Sequence, residues 1–167
     1  IMLPEFSLVD QLQQPFTLAR LRGKWSLITL GYTNCDCPTT LTQIKAFKSY
    51  VHQKLHAFED LNYIFISLDG QNDTPSVLNS YLSQIDKNFI GVSGTKTALQ
   101  PLLNALEISD VLPPPAEASQ TFSEVFLIDP HLRLVSVFTT QQLQNPAKFL
   151  VDYASIRQFF SGKLFIY

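Results

Sequence analysis

The residues best suited to chemistry are two cysteines, Cys35 and Cys37, which are separated only by Asp36. They are the only two cysteines among the 167 residues of the chain. A cysteine thiolate is the form that attacks disulfides and binds soft metals such as Cu(I). A disulfide across a single intervening residue closes a small ring, so we expect it to be strained and readily reduced. The pair therefore predicts either binding of a soft metal or reversible disulfide formation.

The cysteines fall between a predicted strand and a predicted helix. Residues 25–32 form a mostly apolar run, as is typical of a strand buried on both faces. Pro38 fits the first position of a helix, and apolar residues then recur three or four apart over 41–58. A helix N-terminus carries partial positive charge and unpaired N–H groups, which favour a thiolate. The negative charge of Asp36 opposes that effect.

The rest of the chain reads as alternating strands and helices. Strands are predicted at 6–9 and 16–18 around a polar turn, at 63–68 and at 89–92, and a hairpin at 125–138. Helices are predicted from Asp73, over 95–107 and over 147–160, and an irregular loop at 112–120. Pro101 interrupts the second of these helices, so a regular first turn is not expected there.

This order predicts an α/β fold in three layers with a central mixed sheet and an N-terminal hairpin. We expect it to form one domain over residues 1–167. A reactive dithiol after the first long buried strand, at the start of the next helix, makes the predicted arrangement thioredoxin-like.

Composition excludes several classes of protein. Hydrophobic residues make up 46% of the chain, and the net charge of -2 comes from interspersed acids and bases. Because the sequence has no basic stripe, nucleic acid is not an expected partner. No apolar run approaches the roughly 18 residues that span a membrane, so contact with a membrane would require an anchor outside this chain.

A set of short motifs runs in order over nearly the whole chain. They are Leu21-Arg22-Gly23-Lys24-Trp25, Gly31-Tyr32-Thr33, Cys37-Pro38-Thr39-Thr40-Leu41, Ser67-Leu68-Asp69, Asp73-Thr74-Pro75, Phe89-Ile90-Gly91-Val92-Ser93-Gly94 and Phe126-Leu127-Ile128-Asp129-Pro130. Together these motifs resemble the Sco/SenC family.

The resemblance implies a thioredoxin-like fold and a role in copper handling. Members of that family bind copper and help to assemble the binuclear copper centre of cytochrome c oxidase, and some act mainly as thiol-disulfide reductases. The implied partner is a cytochrome c oxidase subunit or another copper or thiol carrier protein. The implied location is the periplasmic side of a bacterial inner membrane, in preference to the mitochondrial intermembrane space. Members of the family are usually attached to the membrane by an N-terminal anchor.

The sequence departs from the family pattern at three places. The family site has two cysteines in the form C-P-x-x-C-P, whereas this chain has the shorter Cys35-Asp36-Cys37. The family histidine falls at or near Thr121, where this chain has none. Asn72 stands where the family has an arginine before Asp73-Thr74-Pro75.

The other histidines do not replace the missing one. His52 lies fifteen residues past Cys37 on the same predicted helix, which is about 22 Å at 1.5 Å per residue. His56 is farther along that helix. His131 follows a predicted strand that carries it away from the cysteines. Glu124 and Asp36 offer hard oxygen ligands, which suit Cu(I) poorly.

Three functions remain open from the sequence. The first is a copper-binding protein that holds Cu(I) through Cys35 and Cys37, either as a pair of sulfurs within one chain or shared across a dimer. The second is a metal-free thiol-disulfide oxidoreductase, in which the same two cysteines form the catalytic redox pair. The third is a divergent binding domain that keeps the fold and has lost both activities.

Overall fold

Seven strands and four α-helices make up the part of the chain that the structure describes, residues 2–34, 39–54, 60–108 and 124–161 of a computed structural model. The predicted loop at 112–120 lies outside these residues. In chain order the elements are β1 (Ser7–Asp10), β2 (Pro15–Thr17), β3 (Trp25–Gly31), α1 (Thr39–Lys54), β4 (Leu61–Ser67), α2 (Pro75–Ser83), β5 (Ile90–Ser93), α3 (Lys96–Ala105), β6 (Glu124–Ile128), β7 (Leu134–Thr139) and α4 (Pro146–Ser161).

The strands form one mixed sheet in the order β2-β1-β5-β4-β3-β6-β7. Strands β3, β4 and β5 run parallel, whereas β1 pairs antiparallel with both β2 and β5. Strand β6 runs antiparallel to both β3 and β7. The mixed sheet and the N-terminal hairpin are therefore confirmed, and the candidate strand at 89–92 joins the same sheet as β5.

The cysteine segment follows the most deeply buried strand. All seven residues of β3 are buried, since β3 lies between β4 and β6 and has packed side chains on both of its faces. Such burial explains why its sequence is apolar without alternation. Because β3 is held between buried neighbours, the place at which the chain leaves the sheet toward the cysteines is fixed.

Helices cover both faces of the sheet, which confirms the three-layer prediction. On one face, buried residues of α1, α2 and α4 pack together, and the ring of Phe47 lies 4.6 Å from that of Phe149, edge to face. On the other face, α3 packs with the N-terminal segment, which contributes Leu3, Phe6 and Phe16. Within the described residues, no helix is long and apolar enough to cross a membrane.

Helix α3 differs from the expectation at Pro101. The helix runs through this residue from a regular start, where the Thr95 hydroxyl accepts a hydrogen bond from the N–H of Ala98 at 3.1 Å. A proline inside a helix costs about 3 kcal/mol. Each fully buried leucine recovers about 1.5–3 kcal/mol, and three leucines of α3 are buried, namely Leu99, Leu102 and Leu103. Tertiary packing therefore outweighs the local penalty.

Candidate functional site

The segment that carries the two cysteines leaves the sheet at the end of its central parallel strands. Strand β3 ends at Gly31, which pairs with Ser67 at the end of β4. Cys35 and Cys37 lie outside the described residues, between Asn34 and the start of α1 at Thr39. The crevice at the carboxyl ends of parallel strands is where open α/β sheets bind ligands. Asn34, the last described residue before Cys35, thus follows the end of the strands at which such folds place their chemistry.

A buried carboxylate, that of Asp73, holds the chain just before the cysteines. It accepts hydrogen bonds from the backbone N–H of Thr33 at 2.9 Å and from the hydroxyl of Thr33 at 2.5 Å. It also accepts one from the hydroxyl of Ser67 at 2.6 Å. Asp73 is only 1% exposed. The carboxylate of Asp73 therefore links Ser67, at the end of β4, to Thr33, which follows the end of β3. Thr33 is two residues before Cys35 in the sequence.

Asn72, which replaces the family arginine, closes the loop that presents Asp73. Its side-chain amide donates to both carboxylate oxygens of Asp69, at 3.1 and 2.9 Å. Backbone N–H groups of Asn72 and Asp73 donate to the carbonyl of Asp69 at 3.1 and 2.8 Å. The departure from the family pattern therefore has a local structural role in this chain.

The same loop lies directly against the loop that follows β5. A Cβ added to Gly70 would lie 2.2 Å from the carbonyl oxygen of Gly94. Any side chain at position 70 would force the two loops apart. Glycine is therefore required where the segment from Asp69 to Asp73 crosses its neighbour.

Two tyrosines line the packed region below the turn. Tyr32 and Tyr81, together with Gly31, Thr40 and Phe65, surround a cavity of only about 10 Å³, which is at the lower limit for one water molecule. Burial, and then the nearby charge of Asp73, raise the pKa of Tyr81 above its ordinary value of 10.0. The end of β3 is therefore closely packed against Phe65 of β4 and Tyr81 of α2.

The two histidines within the described residues lie away from the end of β3 that leads to the cysteines. His52 is an exposed residue near the C-terminal end of α1. His131 follows β6, whose last residue, Ile128, pairs with Ser26 near the start of β3. This places His131 at the other end of the strands from Thr33, as predicted. His56 and Thr121 lie outside the described residues.

Among the described residues, no three His, Cys, Asp or Glu side chains are grouped so that they could hold a metal. The predicted ligands Cys35 and Cys37 lie outside the described residues, so their roles remain predictions.

Sequence reasoning missed the role of Asp73. The local sequence predicts the start of a helix at this residue, and the structure confirms that start, because the adjacent Thr74 caps α2 by accepting from the N–H of Val77 at 3.3 Å. The contact from Asp73 to Thr33 spans 40 residues of sequence. The available signal was that both residues occur in the family-like motifs, but a motif does not reveal which of its members touch.

The model of the SCO1/SenC family matches residues 1–156 of the chain. A protein of Stutzerimonas stutzeri described as a putative copper-binding protein is 37% identical over 106 residues, which is 62% of this chain and 51% of that protein. The mitochondrial protein SCO2 of Saccharomyces cerevisiae is 30% identical over 132 residues, covering 75% of this chain and 43% of that protein. The chain thus spans about half the length of the curated relatives it matches.

Solved structures show the same fold. Bradyrhizobium japonicum ScoI with copper bound is 28% identical, with a TM-score of 0.76 over 93% of this chain and 99% of that chain. Yeast Sco1 with copper bound is 25% identical, with a TM-score of 0.79 over 92% of this chain and 88% of that one.

Proposed function

Because the chain belongs to the SCO1/SenC family, we propose that it carries Cu(I) as cargo on the thiolates of Cys35 and Cys37. The cargo is destined for the copper centre of cytochrome c oxidase. The observation that carries the proposal is the family match over residues 1–156, in a chain whose two cysteines follow the end of β3 by four and six residues of sequence. The chain is also similar to two Sco proteins whose structures contain copper.

The available donor atoms fit Cu(I). Thiolate sulfur is a soft ligand and selects a soft cation. The two described histidines lie elsewhere, His52 near the end of α1 and His131 at the other end of the strands from Thr33. We therefore propose a site with sulfur ligands alone, either two from one chain or sulfurs shared between two copies of the chain. A site without a histidine ligand would bind Cu(I) with lower affinity, which suits a protein that passes copper on.

The recipient we propose is a cytochrome c oxidase subunit or another copper or thiol carrier. The related proteins include bacterial members and a mitochondrial one. We propose the periplasmic side of a bacterial inner membrane as the location of this chain.

A second function, metal-free thiol-disulfide exchange, is favoured by the positions of His52, near the C-terminal end of α1, and of His131, beyond the end of β6. Two thiolates can act without a third ligand. In that case the reduced pair would pass two electrons to a disulfide of the partner protein and would itself become the Cys35–Cys37 disulfide. Thiol counts before and after mild oxidation decide whether that disulfide forms.

An anaerobic titration with Cu(I) against a competing chelator tests the copper proposal. Wild type should withdraw copper from the chelator, and the variant Cys35→Ser/Cys37→Ser should not. The matched control is His52→Ala/His131→Ala, which should bind as wild type does. Copper binding that survives in the double serine variant would overturn the proposal.

A further inference from the structure

We propose that Asp73 is a positioning residue for the cysteine pair and acts on it through Thr33. The inference rests on the proposed function, since it assigns to Asp73 the task of holding the chain in the shape that lets Cys35 and Cys37 act together. We call the hydrogen-bonded set of Asp73, Thr33 and Ser67 the carboxylate clamp.

The clamp fixes the last described turn before the cysteines from two directions. One oxygen of Asp73 accepts from the Thr33 backbone N–H at 2.9 Å and from the Ser67 hydroxyl at 2.6 Å, and the other accepts from the Thr33 hydroxyl at 2.5 Å. The Ser67 hydroxyl in turn accepts from the N–H of Asp69 at 3.1 Å. Hydrogen bonds to an ionised carboxylate are stronger than bonds between neutral groups. Both the backbone and the side chain of Thr33 are therefore held.

Two residues of the clamp, Asp73 and Ser67, are buried in the fold. Asp73 and Ser67 are 1% and 0% exposed. The chain continues from Asp73 directly into α2, whose buried residues Leu78 and Leu82 pack into the core. Asp73 is thus fixed in buried structure, whereas Thr33, which it holds, is only half-buried.

A position fixed at Thr33 limits where the first sulfur can go. Only Asn34 separates Thr33 from Cys35, so few backbone dihedral angles lie between the clamp and the thiol. Two sulfurs must be brought to one copper ion, or to each other, and a chain that is held in advance loses less entropy when they meet. Because only Asp36 separates the two cysteines, the direction in which the chain leaves Thr33 affects where both sulfurs can lie.

Residues that orient metal ligands from outside the first shell typically change metal affinity by about 10–100-fold when they are removed. Asp73 acts through the backbone and not on a sulfur itself, so we expect the lower end of that range. Asp73→Ala should weaken Cu(I) binding by about 10-fold. Asp73→Asn keeps one oxygen that can accept from the Thr33 N–H, so its loss of affinity should be smaller.

Asp129 provides a matched control at the other end of the strands from Thr33. It is 0% exposed and accepts from the backbone N–H groups of His131 and Arg133 at 3.0 and 2.9 Å. Asp129 also forms an ion pair with Arg133 at 2.6 Å. Asp129→Asn therefore controls for the removal of a buried carboxylate charge at a different place in the fold, with the loss of that ion pair added to its cost in stability. It should leave the Cu(I) affinity of the folded protein within about twofold of wild type, because Asp129 follows Ile128, which pairs with β3 at the end away from Thr33.

The experiment measures Cu(I) affinity by chelator competition in wild type, Asp73→Ala, Asp73→Asn, Thr33→Val and Asp129→Asn, each confirmed as folded. Weaker binding in the Asp73 and Thr33 variants, with Asp129→Asn unchanged, supports the clamp. Equal affinities in all folded variants would overturn it, as would equal losses in Asp73→Asn and Asp129→Asn. Thr33→Val removes one hydroxyl and keeps the buried carboxylate, so the test remains decisive if Asp73→Ala does not fold.

Failure of the proposed copper function would be visible separately, because wild type itself would then not bind Cu(I). In that case the reduction potential of the Cys35–Cys37 disulfide, measured in the same variants, decides on the clamp. A shift in Asp73→Asn and Thr33→Val but not in Asp129→Asn supports it, and identical potentials in all of them refute it.

Discussion

Replacing Gly70 with alanine tests whether two loops at the functional edge touch as closely as the structure has them. The added Cβ would lie 2.2 Å from the carbonyl oxygen of Gly94, whereas real Cβ atoms essentially never come within 3.0 Å of such an atom. The two backbones must therefore separate by at least the difference, 0.8 Å. Both sides of the contact are backbone, so no side-chain rotation can relieve it.

Overpacking of this kind costs about 1–3 kcal/mol, and we expect the upper half of that range, about 2–3 kcal/mol, because neither backbone can yield easily. For a chain of this length, each kcal/mol lowers the melting temperature by about 2–4 °C. Gly70→Ala should thus melt about 4–12 °C below wild type. A displacement of this size also disturbs Asp73, whose shortest hydrogen bonds are 2.5 and 2.6 Å long.

Urea unfolding and thermal melting measure the cost, and Gly23→Ala is the control. Gly23 has a φ of +81° and nothing within 4 Å of an added Cβ, so its replacement should cost only the backbone strain of about 1–2 kcal/mol. Gly70→Ala should also weaken Cu(I) binding, whereas Gly23→Ala should not. If Gly70→Ala unfolds within about 0.5 kcal/mol of wild type, the close approach of the loops is refuted.

Two further predictions concern the core and one surface ion pair. Phe149 is 1% exposed and packs edge to face on Phe47 and Phe138, so Phe149→Ala should cost about 3–5 kcal/mol in urea unfolding; a loss below about 1.5 kcal/mol would contradict this packing. Burial is the largest single influence on the pKa of Asp86 and raises it. The 2.7 Å hydrogen bond from Lys48, the hydrogen bond from the N–H of Asn88 and the charges of Lys48 and Lys45 together outweigh burial and lower that pKa below 3.8. The stabilisation is therefore present above the unfolded value of 3.8 and is lost as the pH falls through the lower folded value. The stability gap between wild type and Asp86→Asn should shrink on acidification, and a gap that stays constant would refute this.

The sequence was sufficient to predict the elements on which the cysteine segment depends. The apolar run at 25–32 corresponds to β3 (Trp25–Gly31), because a strand buried on both faces leaves a continuous apolar pattern. The helix after Pro38 corresponds to α1, whose apolar residues face one side of the sheet. Local patterns of this kind follow directly from burial, so they can be read without knowing the partners.

The parts that could not be predicted depend on distant partners. Pro101 lies within α3 because buried leucines on the same helix outweigh its local cost. Asp73 was placed at the start of a helix, yet its main contacts are with Thr33 and Ser67, at the ends of two strands. The register that brings Gly31 beside the end of β4 exists only in the folded sheet. No local pattern records these distances.

X-ray absorption of the Cu(I)-loaded protein tests the central claim most directly, because it identifies the atoms bound to copper. We predict a first shell of sulfur alone in wild type and in His52→Ala/His131→Ala, and loss of that shell in Cys35→Ser/Cys37→Ser. A nitrogen ligand in the wild-type spectrum, or a spectrum that is unchanged when both cysteines are replaced, would contradict the account.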